Sequence, residues 1–156
     1  SLMIVLPSSS SFHGTVIADP LTLVPGAISA SFYQQAASSH FTALTYSDKT
    51  FNTALVPTTS IWTLDDEVVQ PGPSVNTING AQVLKDQDVC PLFVADHFLQ
   101  IVAQPAFTLA YQALTKGKAD PGSFNPINCL LYPDGSPLNL AKAPQLATAV
   151  LNDVIA

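Results

Sequence analysis

The sequence predicts an α/β fold of a single domain, residues 1–156, in which helices flank a mostly parallel sheet. First, residues 55–64 are uncharged and rich in Val, Ile and Thr, which is typical of a strand buried on both faces. Second, two further strand-like segments follow at 81–84 and 89–94. Third, segments with helical spacing of apolar residues lie before and after these strands. A chain of this length is long enough to bury one core.

The composition excludes several classes of function. Hydrophobic residues make up 47% of the chain and charged residues only 10%. Because so few charges cover a closed surface poorly, we expect part of the surface to be covered by something else. The net charge of −6 is the opposite of the positive footprint that nucleic acids require. No apolar run reaches the length of about 18 residues that a membrane span needs. We therefore expect no nucleic-acid partner and no transmembrane segment.

The first third of the chain contains one strand and a helical region. Residues 1–6 form an apolar run that predicts a buried strand. A serine-rich polar loop follows at 8–11, and residues 21–30 predict a mobile turn or short helix. From residue 31 the apolar spacing is helical and indicates one helix, or two short ones, ending near 48–49. Because the chain begins inside a strand without a leader, we expect it to be the downstream portion of a longer protein.

The remainder continues the alternation of strands and helices. The strand at 55–64 ends at three consecutive carboxylates, and turn formers dominate 71–80. After the strand at 89–94 the pattern becomes helical from residue 98, with Pro105 either beginning a new helix or kinking the existing one. Lys116, Gly117 and Lys118 are typical of a helix C-terminus. Residues 120–137 predict a proline-rich loop, and 138–156 a final helix.

The two cysteines, Cys90 and Cys129, are too few for a closed zinc site and do not form a CxxC pair. The plainest interpretation is a single structural disulfide, with two buried free thiols as the alternative. A disulfide would indicate a secreted, oxidising setting. The sequence predicts no metal and no cofactor.

Two side chains suggest catalytic chemistry. Asp66 directly follows the buried strand, and His97 follows the next predicted strands. Ligands of open α/β sheets bind beyond the carboxyl ends of the strands. An acid followed along the chain by a histidine is also the order found in one class of catalytic triad. The alternative is a solvated acidic loop and a helix cap beside a hydrogen-bonded histidine. Asp65 is the alternative acid.

Several motifs carry a resemblance to a known family. Val56-Pro-Thr-Thr-Ser60, Asp66-Glu-Val-Val-Gln-Pro71 and Cys90-Pro-Leu-Phe-Val-Ala-Asp-His97 resemble the fungal serine lipases of the Candida antarctica lipase B type, which have the α/β-hydrolase fold. The resemblance continues at Gly14-Thr-Val16 and Asn128-Cys129 and so covers nearly the whole chain.

This resemblance implies specific roles for residues of the chain. Asp66 would be the triad acid and His97 the triad base, with Val68 and Val69 lining the substrate pocket. Cys90 and Cys129 would pair. Residues 21–31 would correspond to a lid-like region, and the C-terminal helix would form another pocket wall.

The chain departs from the family in one respect that matters for function. It contains no G-x-S-x-G motif, and the serines at 8–11 lack the flanking glycines of a nucleophile elbow. In the family the serine and the oxyanion hole lie upstream of the first strand found here. We therefore expect the C-terminal portion of an α/β-hydrolase, whose missing N-terminal half carries the nucleophile. His13, His40 and Trp62 are expected to be structural.

The predicted function is that of part of a secreted serine lipase or esterase that hydrolyses acylglycerol-type esters, with an ester or lipid as substrate. The isolated chain is expected to be inactive. The alternative is a catalytically dead lipase-like protein that binds apolar ligands or a partner chain. A third possibility is a fragment held by a partner chain that carries the other half.

Overall fold

A computed structural model describes residues 4–6, 10–24, 26, 28–47 and 52–137. Three parallel strands form its sheet in the order β1 (Ile4–Leu6), β2 (Thr58–Trp62) and β3 (Gln82–Lys85). Ile4 pairs with Thr58, and Ser60 with Val83. Parallel strands place their carboxyl ends at one edge of the sheet, which is where the segments after β2 and β3 begin. The predicted α/β architecture with a parallel sheet is confirmed for the described residues.

The central strand β2 lies in the core. Thr59 to Trp62 are all buried, and Ile61 and Ser60 are completely inaccessible. This burial on both faces agrees with the lack of charges in the predicted strand at 55–64, although the strand itself is shorter. Trp62 is a core residue, as predicted.

A long helix, α4 (Gln104–Lys116), packs against β1 and β2. Pro105 lies in its first turn, where the missing N–H costs nothing, so it begins a new helix and does not kink an existing one. Gly117 ends the helix with a φ of 88°, a left-handed conformation that favours glycine. The buried face of α4 joins Ile61 and its neighbours in the main core, which comprises Ile61, Ala95, Ala103, Ala106, Leu109, Ala113 and Ala119.

The helical region near the N-terminus consists of two short helices, α1 (Ala30–Gln34) and α2 (His40–Ser47). The Ser39 hydroxyl accepts a hydrogen bond from the Thr42 N–H at 3.0 Å and so caps the start of α2. A 3₁₀ helix, Asp19–Leu23, overlaps the start of the segment 21–30 expected to be a mobile turn or short helix. Between β2 and β3 the chain forms one further short helix, α3 (Gly72–Val75).

The strand predicted at 89–94 is not formed. A 3₁₀ helix, Asp86–Asp88, follows β3, and the Asp86 carbonyl accepts the N–H groups of Val89 and Cys90. The Phe93 N–H then bonds to the Cys90 carbonyl. Because these backbone groups are used in local turns, they do not join the sheet. The prediction was wrong because an apolar run without charges is equally compatible with a turn that packs on the core.

The Cys90 and Cys129 sulfurs form a disulfide across a sequence separation of 39. Cys129 belongs to a 3₁₀ helix, Pro126–Cys129, in the proline-rich loop, which also contains the 3₁₀ helix Pro121–Ser123. Predictions for residues 1–3, 7–9 and the final helix at 138–156 lie outside the described residues. Within the described part, none of the helices has the length and apolar character to cross a membrane.

Candidate active site

The acid of the candidate site lies in the loop that leaves β2. Asp66 is 2% exposed. Its Oδ1 accepts hydrogen bonds from the backbone N–H groups of Val68 at 2.8 Å and Val69 at 2.7 Å. Its backbone carbonyl accepts a further hydrogen bond from the Gln70 side-chain amide. A carboxylate so buried is costly unless it is hydrogen-bonded, and here the loop itself supplies the donors.

The imidazole of His97 meets this carboxylate. His97 Nδ1 lies 3.0 Å from Asp66 Oδ2, and the side chain of His97 is 27% exposed. The backbone N–H of His97 donates to Glu67 Oε2 at 3.2 Å, so neighbouring carboxylates hold both the main chain and the ring. Phe98 packs edge-on against the imidazole with a centroid separation of 5.4 Å. Asp66 and His97 therefore form a contact pair, although 30 residues separate them along the chain.

The electrostatics favour the protonated imidazole. The pKa of His97 is raised, chiefly by its hydrogen bond to Asp66, and the charges of Asp66, Glu67 and Asp96 add to that effect. Partial burial opposes the rise by disfavouring the charged ring. When Nδ1 donates to the carboxylate, the neutral ring keeps Nε2 free of hydrogen and able to accept a proton. This is the arrangement that a general base requires.

Asp65, the alternative acid, lies elsewhere. It is exposed, and its Oδ2 accepts a hydrogen bond from the side-chain amide of Gln87 at 3.3 Å. Asp96 Oδ1 accepts the Leu99 N–H at 2.7 Å just before the 3₁₀ helix Leu99–Val102, whose N-cap residue is Phe98. Asp96 is therefore hydrogen-bonded near the helix start without being its cap residue.

The two valines predicted to line a pocket have different environments. Val69 is buried, whereas Val68 is half-buried. The Thr15 hydroxyl donates to the Val68 carbonyl and accepts the Gln70 N–H at 3.1 Å, which ties the N-terminal segment to the loop that carries Asp66. The role of Val68 and Val69 in binding substrate stays a prediction.

Two surface cavities, of about 580 and 520 Å³, are lined by residues other than Asp66 and His97. His13 and Tyr46 are among the residues lining the first, and Tyr111 and Tyr132 among those lining the second. His13 has a structural contact, since its Nε2 lies 2.6 Å from the Thr77 carbonyl oxygen. Among the described residues, no group of three or more His, Cys, Asp or Glu side chains could hold a metal ion.

Sequence reasoning missed the residues that support the pair. Glu67, Gln70, Gln87 and Thr15 all bond to the segments that carry Asp66 or His97. The contact of Gln70 with Asp66 is local, whereas those of Glu67, Gln87 and Thr15 join distant parts of the chain, so no local spacing reveals these three. The one available signal was the position of Glu67 and Gln70 in the motif that begins at Asp66.

Comparison with known proteins agrees with the fold and with the resemblance. The chain is 30% identical over 148 residues to lipase B of Pseudozyma antarctica, a match that covers 90% of this chain and 42% of that protein. Its structure is similar to the crystal structure of Aspergillus fumigatus lipase B, with a TM-score of 0.75, 24% identity and coverage of 99% of this chain and 40% of the other. No protein-family model matches the chain.

The chain spans about two fifths of the length of these relatives. Within that length the sequence similarity to a fungal lipase and the shared fold agree with each other. Over the length that it shares with them, the chain therefore has the α/β-hydrolase fold and is similar in sequence to a fungal lipase B.

Proposed function

We propose that this chain supplies the acid and the histidine of a serine-hydrolase triad that acts on carboxylic esters of the acylglycerol type. The observation that carries the proposal is the 3.0 Å contact between His97 Nδ1 and the buried Asp66 carboxylate. A solvated acidic loop, which was the alternative interpretation, would leave Asp66 exposed. The pair also follows the carboxyl edge of a parallel sheet, where α/β proteins bind their ligands.

The chemistry follows from the roles of the two side chains. A serine hydroxyl attacks the ester carbonyl while His97 Nε2 accepts its proton, and the protonated ring then donates that proton to the departing alkoxide. Water then attacks the acyl-enzyme while His97 Nε2 accepts its proton. The protonated ring returns that proton to the serine oxygen as the carboxylic acid is released. Asp66 orients the ring and stabilises its positive form. Among the described residues no serine is hydrogen-bonded to the His97 ring, so the nucleophile and the oxyanion donors are assigned to sequence outside this chain.

Three observations support the choice of substrate and location. The relatives are named lipases, and apolar side chains are exposed on the chain, including Leu92 and Val94 near His97. The disulfide between Cys90 and Cys129 is typical of secreted proteins, so we assign the chain to an extracellular setting.

The first test measures the pKa of His97 by NMR titration of the imidazole C–H signals in the parent chain, in Asp66→Asn and in Asp65→Asn. Asp66→Asn removes the charge that raises the pKa, so we expect the pKa to fall toward its ordinary value. Asp65→Asn removes an adjacent charge that does not contact the ring and is expected to have a much smaller effect. Equal shifts in the two variants would contradict the assignment of Asp66 as the acid.

The second part of the test measures ester hydrolysis. The chain by itself lacks a nucleophile in our assignment and is expected to be inactive, because the oxyanion donors contribute a large part of the rate. Hydrolysis by the chain alone that disappears in His97→Ala would overturn the assignment of the serine to outside sequence. Absence of hydrolysis in a longer protein that contains this chain and a nucleophile elbow would instead favour the catalytically dead, ligand-binding alternative.

A further inference from the structure

The side chain of Gln87 links the two loops that carry the catalytic pair. Gln87 belongs to the 3₁₀ helix after β3. On the side of the acid, its Oε1 accepts the Leu64 N–H at 3.2 Å, and its Nε2 lies 3.0 Å from the Thr63 hydroxyl. On the side of the histidine, the same Nε2 donates to the Phe93 carbonyl at 3.0 Å. One amide thus bonds to the residues just before Asp66 and to the segment that leads to His97.

These contacts matter because the two loops belong to different parts of the chain. We call residues 63–70 the acid loop and residues 89–98 the histidine loop. The other hydrogen bonds between them that the structure describes start from His97 itself, at its ring and at its backbone N–H. Gln87 therefore connects the two loops at residues other than Asp66 and His97. Hydrogen bonds weaken steeply with distance and angle, so the contact between acid and imidazole depends on how the loops are held.

We propose that Gln87 is a positioning residue that sets the separation of the acid loop and the histidine loop, and thereby the contact between Asp66 and His97. The inference rests on the proposed function. Gln87 acts through the two loops and does not contact the imidazole. A loss of its amide leaves both loops folded locally, because Asp66 keeps its own backbone donors and Cys90 keeps its disulfide.

The chain offers a matched control in Gln82. This glutamine lies on β3 and is also half-buried, and its side chain bonds to the Ala119 carbonyl at 2.7 Å and the Ala119 N–H at 3.1 Å. It thus holds two segments together without touching the acid loop or the histidine loop. Replacement of either glutamine by methionine keeps the size of the side chain and removes its hydrogen bonds.

The experiment compares Gln87→Met with Gln82→Met in the full 156-residue chain. Urea unfolding is expected to show a loss of stability in both variants. The NMR-measured pKa of His97 is expected to fall toward its ordinary value only in Gln87→Met. In a longer protein that hydrolyses esters, kcat is expected to fall on the order of tenfold to a hundredfold in Gln87→Met with KM unchanged, which is the effect of a misplaced base. An unchanged His97 pKa in a folded Gln87→Met chain would overturn the proposal.

If Gln87→Met does not fold, Gln87→Asn serves as the second variant, because its amide is one methylene shorter and cannot reach both loops. The His97 pKa of Gln87→Asn is then compared with that of Gln82→Met. An unchanged His97 pKa in a folded Gln87→Asn chain would overturn the proposal. Failure of this inference is distinct from failure of the proposed function. If Asp66→Asn lowers the His97 pKa and the Gln87 variants do not, only the role of Gln87 is lost.

Discussion

Asp66 and Asp86 are both buried carboxylates, but their environments differ. Asp66 accepts two backbone hydrogen bonds and contacts His97. Asp86 is completely inaccessible, and among the described residues neither of its carboxylate oxygens has a hydrogen-bond partner. Burial raises the pKa of Asp86 from 3.8 to about 7, although the nearby Gln100 side chain partly offsets the rise. The Asp66 carboxylate therefore has partners for both of its oxygens, whereas burial favours the protonated form of Asp86.

This difference predicts a pH dependence of stability. Because the folded-state pKa of Asp86 is raised, the folded chain binds the proton more tightly than the unfolded chain does. The free energy of unfolding should therefore fall as the pH rises from about 4 to about 7, by up to about 1.4 kcal/mol per pH unit from this residue. Asp86→Asn mimics the protonated form and should remove this slope.

Urea unfolding of the parent chain and of Asp86→Asn at pH 4, 5.5, 7 and 8.5 checks this prediction. The two proteins should have similar stability at pH 4, and Asp86→Asn should be the more stable at pH 7 and above. Parallel pH profiles would show that Asp86 is ionised in the folded state. Asp88→Asn is the control, since that carboxylate is exposed and pairs with Lys85 at 3.4 Å.

At the scale of elements, the helix α4 packs on the sheet against β1 and β2. Its apolar residues lie on two faces, of which one contributes to the core and the other is exposed. Leu109 is 0% exposed and packs in the core with Ile61, whereas Leu114 is 61% exposed. The same residue type in the same helix thus has two different environments.

We expect Leu109→Ala to lower the free energy of unfolding by about 2–5 kcal/mol, because it removes buried methyl groups and leaves a cavity. Leu114→Ala should change it by about 0.5 kcal/mol or less, since that side chain is exposed. Urea unfolding of both variants measures the difference. Equal losses would mean that the exposed face of α4 is buried in solution against another surface.

At the scale of the whole molecule, the disulfide between Cys90 and Cys129 connects the histidine loop to the proline-rich loop after α4. A cross-link over a sequence separation of 39 restricts the unfolded chain substantially. It also anchors the histidine loop at its beginning, seven residues before His97. The fold in this region therefore depends on the cross-link as well as on the core.

Replacement of both cysteines by serine is expected to lower the free energy of unfolding by about 2–5 kcal/mol. The local loss of stability should be largest in the histidine loop, which the disulfide anchors. Amide hydrogen exchange should therefore increase most in residues 89–98. Addition of a reductant to the parent chain should reproduce the effect, and the same reductant should not affect the double serine variant. An unchanged unfolding midpoint after reduction verified by mass would contradict the prediction.

The sequence by itself determined the α/β class, the buried strand around Ile61 and the end of α4 at Gly117. These features depend on local patterns, namely an uncharged β-branched run and a glycine after a helical repeat. The motif resemblance also predicted the disulfide, which the structure confirms, and the pairing of Asp66 with His97 as acid and base. The catalytic roles of that pair stay predictions.

Only the tertiary structure decided how closely these groups meet and which further residues support them. It placed the His97 ring 3.0 Å from Asp66 and left Asp65 exposed, because the turn after β2 directs the first carboxylate toward solvent and the second inward. It converted the apolar run at 89–94 into turns, and it placed Gln87 between two loops. Each of these outcomes depends on contacts between segments that lie far apart in the chain. Local hydrophobic patterns and turn preferences carry no information about such contacts, since they describe only which segments are buried.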